Sequence, residues 1–255
     1  MEQRVHYNII VVGAGGTGGN LLKELGRFLK FFKGKESWSL SIYDGDIVEE
    51  KNGERQPFTT EDVFQHKASI MAEGMVDCLG LPRESVKAYP RYLDTIDDIE
   101  KYQGYGVKTI DVLIGCVDNH RARQVLHKFF YGQKNCVYID SANEFAEGEI
   151  VVGIRINGKT VAPPRGFYFP EVLKSRGKRA SEISCGAVNK SAPQHLITNL
   201  AAAGHVLSFV VQLMQGHKLE GGILYFNAFT HYCRFDRWSE QVQKRFEADG
   251  RMVEQ

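Results

Sequence analysis

The stretch IIVVGAGGTGGN, residues 9–20, runs from β-branched residues into glycines at 13, 15, 16 and 18. This spacing suits a phosphate. Gly13 permits a tight turn, Gly15 lets backbone amides approach the anion, and Gly18 lets the following helix pack on the preceding strand. The helix then aims its free N–H groups and positive dipole end at the negative charge. Asp44 ends the next apolar run, where a carboxylate accepts ribose hydroxyls. To this point NAD and ATP are served equally well.

Residues farther along separate the two. Asp46, Asn52, Arg55 and Gln56 follow in DGDIVEEKNGERQPF, and Lys67 comes after them. Hydride transfer gains little from Arg and Lys beside phosphates, whereas cleavage of a phosphoanhydride needs cations where charge builds up. Asp118 and Asn119, in GCVDNHRAR, follow another apolar run. A carboxylate there suits Mg²⁺, which binds through one or two carboxylates together with phosphate oxygens. The expected ligand is Mg·ATP. An NAD(P)-dependent oxidoreductase is the competing reading, and no positioned general acid for hydride chemistry is identified.

These residues need elements to hold them. HYNIIVVGA reads as a buried parallel strand, and GNLLKELGRFLKFF as a helix with Leu21, Leu22, Leu25, Phe28 and Leu29 on one face. WSLSIYDGD is a second strand, TEDVFQHKASIMAEGMVDCLG a helix, SVKAYPRYL a short strand and DVLIGCVDN a longer one. HRARQVLHKFFYGQ is the next helix, and NCVYIDSANEFAEGEIVVGIR gives two strands around an Ala-Asn-Glu turn. The order implies an α/β fold: a Rossmann-like, doubly wound, mostly parallel sheet, because parallel strands need helical crossovers. Residues 157–184, rich in Pro, Gly and basic residues, read as a long irregular surface loop. APQHLITNLAAAGHVLSFVVQLMQG is a buried helix, ILYFNAFTHYCRFDRW a late antiparallel hairpin, and a polar tail closes the chain.

Composition narrows the class. Of the 255 residues 43% are hydrophobic and 25% charged, and the net charge of +1 gives no field to steer the chain toward nucleic acid or membrane. Apolar runs reach only about six residues against the roughly twenty that span a bilayer, and MEQRVHYN lacks a signal peptide's apolar core, so a cytoplasmic location is expected. Cysteines 78, 116, 136, 185 and 233 form no Cys-x-x-Cys pair, so no zinc site is expected. Cys116 and Cys136 sit in apolar strands and read as core, and His195 and His205 fall in the buried helix region and read as core histidines without a catalytic role.

The motifs in order resemble the ThiF/MoeB/HesA group and the adenylation domains of ubiquitin-activating enzymes. The resemblance rests on Gly-x-Gly-Gly-x-Gly at 13–18, Asp-x-Asp at 44–46, Asn-x-x-Arg-Gln at 52–56, Lys67, Asp-Asn-x-x-x-Arg at 118–123, Glu147-Gly148-Glu149-Ile150, Ser184-Cys185 and the ILYFNAFTHYCRF hairpin. GAGGTGGNLLKELGRFL and ERQPF look most like the ThiF-like proteins of the bacterial PRTRC gene system. The resemblance implies one adenylation domain over 1–255, with a nucleotide-binding half at 7–156, a flexible loop at 157–184 and a carrier-binding half at 185–240. It also implies ATP bound with Asp44 on the ribose and Gly13, Gly15, Gly16 and Gly18 at the phosphates. Arg55 and Lys67 then stabilise the phosphates, Asn52 and Gln56 position them, and Asp118 holds Mg²⁺, with Asp46, Asn119 and Arg123 completing the nucleotide site.

The implied reaction is attack of the C-terminal carboxylate of a small β-grasp, ubiquitin-like or sulfur-carrier-like protein on the α-phosphate, releasing pyrophosphate. Cys185 matches the position that in relatives takes up the acyl group, and the nearby Lys174, Arg176, Lys178 and Arg179 favour a thiolate. A homodimer is expected by the same resemblance. Two departures stand out. The two Cys-x-x-Cys pairs of MoeB-type relatives are missing, and about seven residues precede the first strand, leaving Arg4 as the sole candidate for an arginine lent to a partner subunit. The alternatives are adenylation of a peptide or modified tRNA carboxylate, and an ATP-binding adaptor without turnover.

Overall fold

The computed structural model describes residues 4–102, 107–175 and 194–248. Nine strands among these residues form one mixed sheet. β1 (Val5–Val12), β2 (Ser37–Tyr43), β3 (Val86–Tyr89), β4 (Lys108–Gly115) and β5 (Cys136–Asn143) run parallel in the order β3-β2-β1-β4-β5. β6 (Glu147–Ile156) pairs antiparallel with β5, and the hairpin of β8 (Gly222–Asn227) and β9 (Tyr232–Arg237) extends the sheet beyond it. The result is the doubly wound, mostly parallel sheet expected, with antiparallel strands at its C-terminal side.

Helices cover both faces, which is why β1 is apolar almost throughout. Ile9 and Val11 face a core shared with α1 (Gly16–Phe31) and α6 (Leu196–Met214), which supply Leu21, Leu22, Leu25, Val206 and Val210. Ile10 and Val12 face the other side, against Val125, Leu126, Phe129 and Phe130 of α3 (His120–Gly132). Alternate side chains of a strand point to opposite faces, so one apolar run feeds two cores. α6 is long and apolar enough to cross a membrane, yet here Ala202, Ala203, Val206 and Val210 pack into the first of these cores.

β1 ends two residues earlier than its apolar run suggests, because Gly13 turns at φ +93° and donates its N–H to the Tyr43 carbonyl at 2.8 Å. The helix expected over 60–80 begins with a separate 3-10 turn, Thr60–Asp62, and Phe64 takes a left-handed φ of 71°. Only at Lys67 does α2 (Lys67–Glu73) start, and it runs on as a π-turn over Gly74–Cys78.

The loop expected over 157–184 is corrected in its first part. Asn157 and Gly158, both at positive φ, form the turn of a hairpin that returns as β7 (Lys159–Ala162) along β6. Pro163 and Pro164 end that strand, and two short helices follow, α4 (Arg165–Tyr168) and α5 (Glu171–Lys174). Phe167, Tyr168 and Val172 are buried, and the first two pack edge-on against Trp238. Asn-Gly between apolar residues is a strong hairpin signal that the composition of the segment obscured. The tail holds α7 (Glu240–Ala248).

Candidate active site

Open α/β sheets take their ligands in the crevice outside the carboxyl ends of the strands where the strand order reverses, which here is the edge of β1, β2 and β4. Gly13 follows β1 there. A Cβ on it would sit 2.4 Å from the Cys116 carbonyl oxygen just past β4, and a Cβ on Gly18 would sit 1.8 Å from the Gly13 carbonyl oxygen. A side chain at 15, by contrast, would meet no atom within 4 Å. The turn is therefore crowded behind and open in front. The N–H groups of Gly16, Thr17 and Gly18 precede the first intrahelical bond of α1, Gly19 N–H to the Gly15 carbonyl at 2.8 Å. A helix start leaves these as free donors, and an anion fits the open side.

Asp44, directly after β2, accepts from the Ala14 N–H at 2.6 Å and from the Asp46 N–H at 2.8 Å. It both braces the turn and borders the crevice. Burial pushes its carboxyl up to about 6, with Asp46 adding to the shift and Lys67 and the two backbone donors opposing it.

Lys67 reaches this edge through a short antiparallel contact: Ile47 bridges His66, and the Lys67 N–H bonds the Asp46 carbonyl at 3.0 Å. Its side chain is 7% exposed and its Nζ lies 3.1 Å from Asp46 Oδ2, while the Tyr92 hydroxyl donates to Asp46 Oδ1. Asp44, Asp46 and Lys67 thus form one cluster. Tyr92, which sequence reasoning missed, also lies across Gly45, where any Cβ would strike its ring.

Arg55 and Gln56 leave the 3-10 turn Glu50–Glu54. Asn52, expected among the phosphate contacts, braces this turn: its Oδ1 accepts the Glu49 N–H at 2.9 Å, and its carbonyl accepts the N–H groups of Arg55 and Gln56 at 3.2 and 2.9 Å. The segment rests on α1, where Asn20 Nδ2 reaches the Arg55 carbonyl at 3.5 Å and Pro57 fills the space above Gly19. Among the described residues the Arg55 guanidinium has no acidic partner, and the buried Oε1 of Gln56 has no donor.

Asp118 and Asn119 follow β4. Asp118 is exposed and follows Val117, which lies beside Gly13, while the Asn119 side chain caps α3 by accepting the Ala122 N–H at 2.8 Å. Among the described residues there is no group of three potential metal ligands. A lone exposed carboxylate still fits Mg²⁺ when phosphate oxygens and water supply the remaining ligands.

Arg123 does not join this crevice. It is 7% exposed and turned inward, with Nε 3.2 Å from the fully buried Asp140 and Nη2 donating to the carbonyls of both Val117 at 2.7 Å and Ser141 at 3.1 Å. Arg165 approaches the same Asp140 Oδ1 at 3.0 Å and binds Glu149 at 2.8 Å. A buried carboxylate needs such partners, which is why an arginine spaced like a ligand serves the frame instead. Cys136 is core as expected, whereas Cys116 is half-buried past the strand end, its thiol pushed up to about 12 by burial. His195 is not core as expected but exposed at the start of α6, where its Nδ1 accepts the Ile197 N–H at 3.2 Å, and His205 is half-buried. Cys185 lies outside the described residues.

The fold is shared with solved structures of low sequence identity. PaaA superposes with a TM-score of 0.59 at 17% identity, over 91% of this chain and 64% of that one. Escherichia coli MccB with ATP gives 0.60 at 15%, over 90% and 62%. MccB with AMPCPP and selenomethionyl MccA gives 0.60 at 15%, over 90% and 63%. The chain therefore spans less than two thirds of the length of these relatives. A search of curated proteins finds no match. The ThiF family matches residues 1–245, nearly the whole chain, and the chain belongs to the ThiF family.

Proposed function

We propose that the chain transfers AMP from ATP to a C-terminal carboxylate. The observation that carries this reading is the gathering, at one sheet edge, of an open helix N-terminus, the Asp44–Asp46–Lys67 cluster and the exposed Asp118. A carboxylate oxygen attacks the α-phosphorus, the bond to the bridging oxygen breaks, and pyrophosphate leaves with the electron pair. Lys67 and Arg55 neutralise charge that grows on the phosphate oxygens, and the free N–H groups of α1 hold them in line. Asp118 would hold Mg²⁺, which supplies further neutralisation when bound.

The acceptor in this reading is a small β-grasp protein of the ubiquitin-like or sulfur-carrier-like kind. A second acceptor class, a free polypeptide terminus, is favoured by the solved complex of MccB with AMPCPP and MccA. In a following step the Cys185 thiolate attacks the acyl carbon and expels AMP. The expected homodimer belongs to the same reading.

The test is ATP–pyrophosphate exchange in the presence of candidate carriers and peptides. Acceptor-dependent exchange that disappears in Asp118→Ala supports adenylation. Nucleotide binding without exchange, whatever the acceptor, makes the protein an adaptor. An acyl adduct trapped on the wild type and absent from Cys185→Ala supports the cysteine step.

A further inference from the structure

α1 and α6 start at the same edge of the sheet, and their first turns meet at Gly16 and Asn199. Asn199 is fully buried. Its Oδ1 accepts from Asn143 Nδ2 at 2.8 Å and stands 3.5 Å from the Thr17 hydroxyl. Asn143 is held in turn: the Thr17 hydroxyl donates to its Oδ1 at 2.9 Å, and Gln194 Nε2 donates to its carbonyl at 3.1 Å. This network fixes which way the Asn199 amide faces. Its Nδ2 points at the first residue of α1, so close that a side chain at position 16 would come within 2.2 Å of it.

That Nδ2 has no acceptor among the described residues. Burying an amide N–H unpaired is costly, and such groups in native proteins call for an explanation. Asn143 and Thr17 account for the Asn199 Oδ1, whereas no described residue accounts for its Nδ2. The unpaired donor lies beside the first turn of α1, whose free N–H groups and dipole already favour negative charge. Neutral donors converging on a helix start are the chemistry of a phosphate oxyanion rather than of a cation.

We infer that Asn199 Nδ2 donates to a phosphate oxygen seated on the first turn of α1, so that the late helix α6 completes the phosphate cradle of the early glycine turn. This rests on the nucleotide reading only for the source of the phosphate, which is either ATP or free pyrophosphate. Asn143 and Thr17 act as positioning residues through Asn199.

The experiment is calorimetric titration of the full chain with ATP, inorganic pyrophosphate and adenosine. Asn199→Leu removes the donor at similar volume, and Asn199→Asp keeps the shape while placing a like charge at the anion. Thermal melts check that each variant is folded. A charge-assisted hydrogen bond predicts a loss of at least about tenfold in affinity for ATP, for pyrophosphate or for both, with adenosine unchanged and the Asp variant weaker than the Leu variant. Loss for ATP alone assigns the oxygen to the bound nucleotide. Pyrophosphate binding that depends on Asn199 in a chain that does not bind ATP sustains the inference while ending the nucleotide reading. Unchanged affinity for both phosphate ligands in either folded variant overturns it.

Discussion

The Asp44 carboxylate accepts the Ala14 N–H at 2.6 Å, so the end of β2 holds the glycine turn that follows β1. The same carboxyl is pushed up to about 6, first by burial and then by Asp46. Its ionised form accepts from both backbone donors and, in the proposed function, from a ribose hydroxyl. ATP affinity is therefore expected to fall as pH drops through about 6, and the step should vanish in Asp44→Asn. Stability runs the other way. A carboxyl raised above its unfolded value favours the fold below the ordinary carboxylate range and loses that contribution as pH rises through about 6. The stability gap between Asp44→Asn and the wild type should move in the variant's favour by roughly 2 kcal/mol between pH 4 and 7, measured by urea unfolding.

Lys67 is buried, and its ammonium faces Asp46 at 3.1 Å. Replacing it with Met keeps the stem and removes the charge. The expected result is a loss of about 100-fold or more in the rate of AMP transfer, the scale seen when one preorganised electrostatic contact is removed. Lys67→Arg should not restore the rate, because a planar guanidinium does not fit the space of a buried ammonium. Single-turnover kinetics with a competent acceptor decide both points.

Gly18→Ala places a Cβ 1.8 Å from the Gly13 carbonyl, against backbone that cannot yield. A loss of about 3 kcal/mol or more is expected in chemical denaturation. Gly204→Ala is the control. It lies inside α6 with nothing within 4 Å of the new methyl, and should gain about 0.5–1 kcal/mol through helix propensity.

Asp140 is fully buried between Arg123 and Arg165. Asp140→Asn leaves two buried guanidinium groups facing a neutral amide, and should cost about 3–5 kcal/mol. Because Arg123 also holds the Val117 carbonyl next to Asp118, the variant should lose acceptor-dependent exchange in parallel with its stability. Denaturation and exchange assays on the same preparation measure the two together.

The amino-acid sequence by itself determined the order of strands and helices through the first half, because apolar runs with period 2 and 3.6 are local signals. It also determined the glycine turn, Asp44, Lys67 and Asp118 as candidates, because residue type and spacing specify what a sheet edge can offer a phosphate. Tertiary structure decided which candidates face that edge. Arg123 has the spacing of a ligand but turns inward, since the buried Asp140 needs a partner and burial makes that need dominant. Residues 157–175 read as loop by composition, yet aromatic packing on Trp238, distant in sequence, folds part of the segment. Asn199 was invisible for the same reason. Its contact with Gly16 joins residues 183 positions apart, and only the packing of α6 on α1 brings the two first turns together.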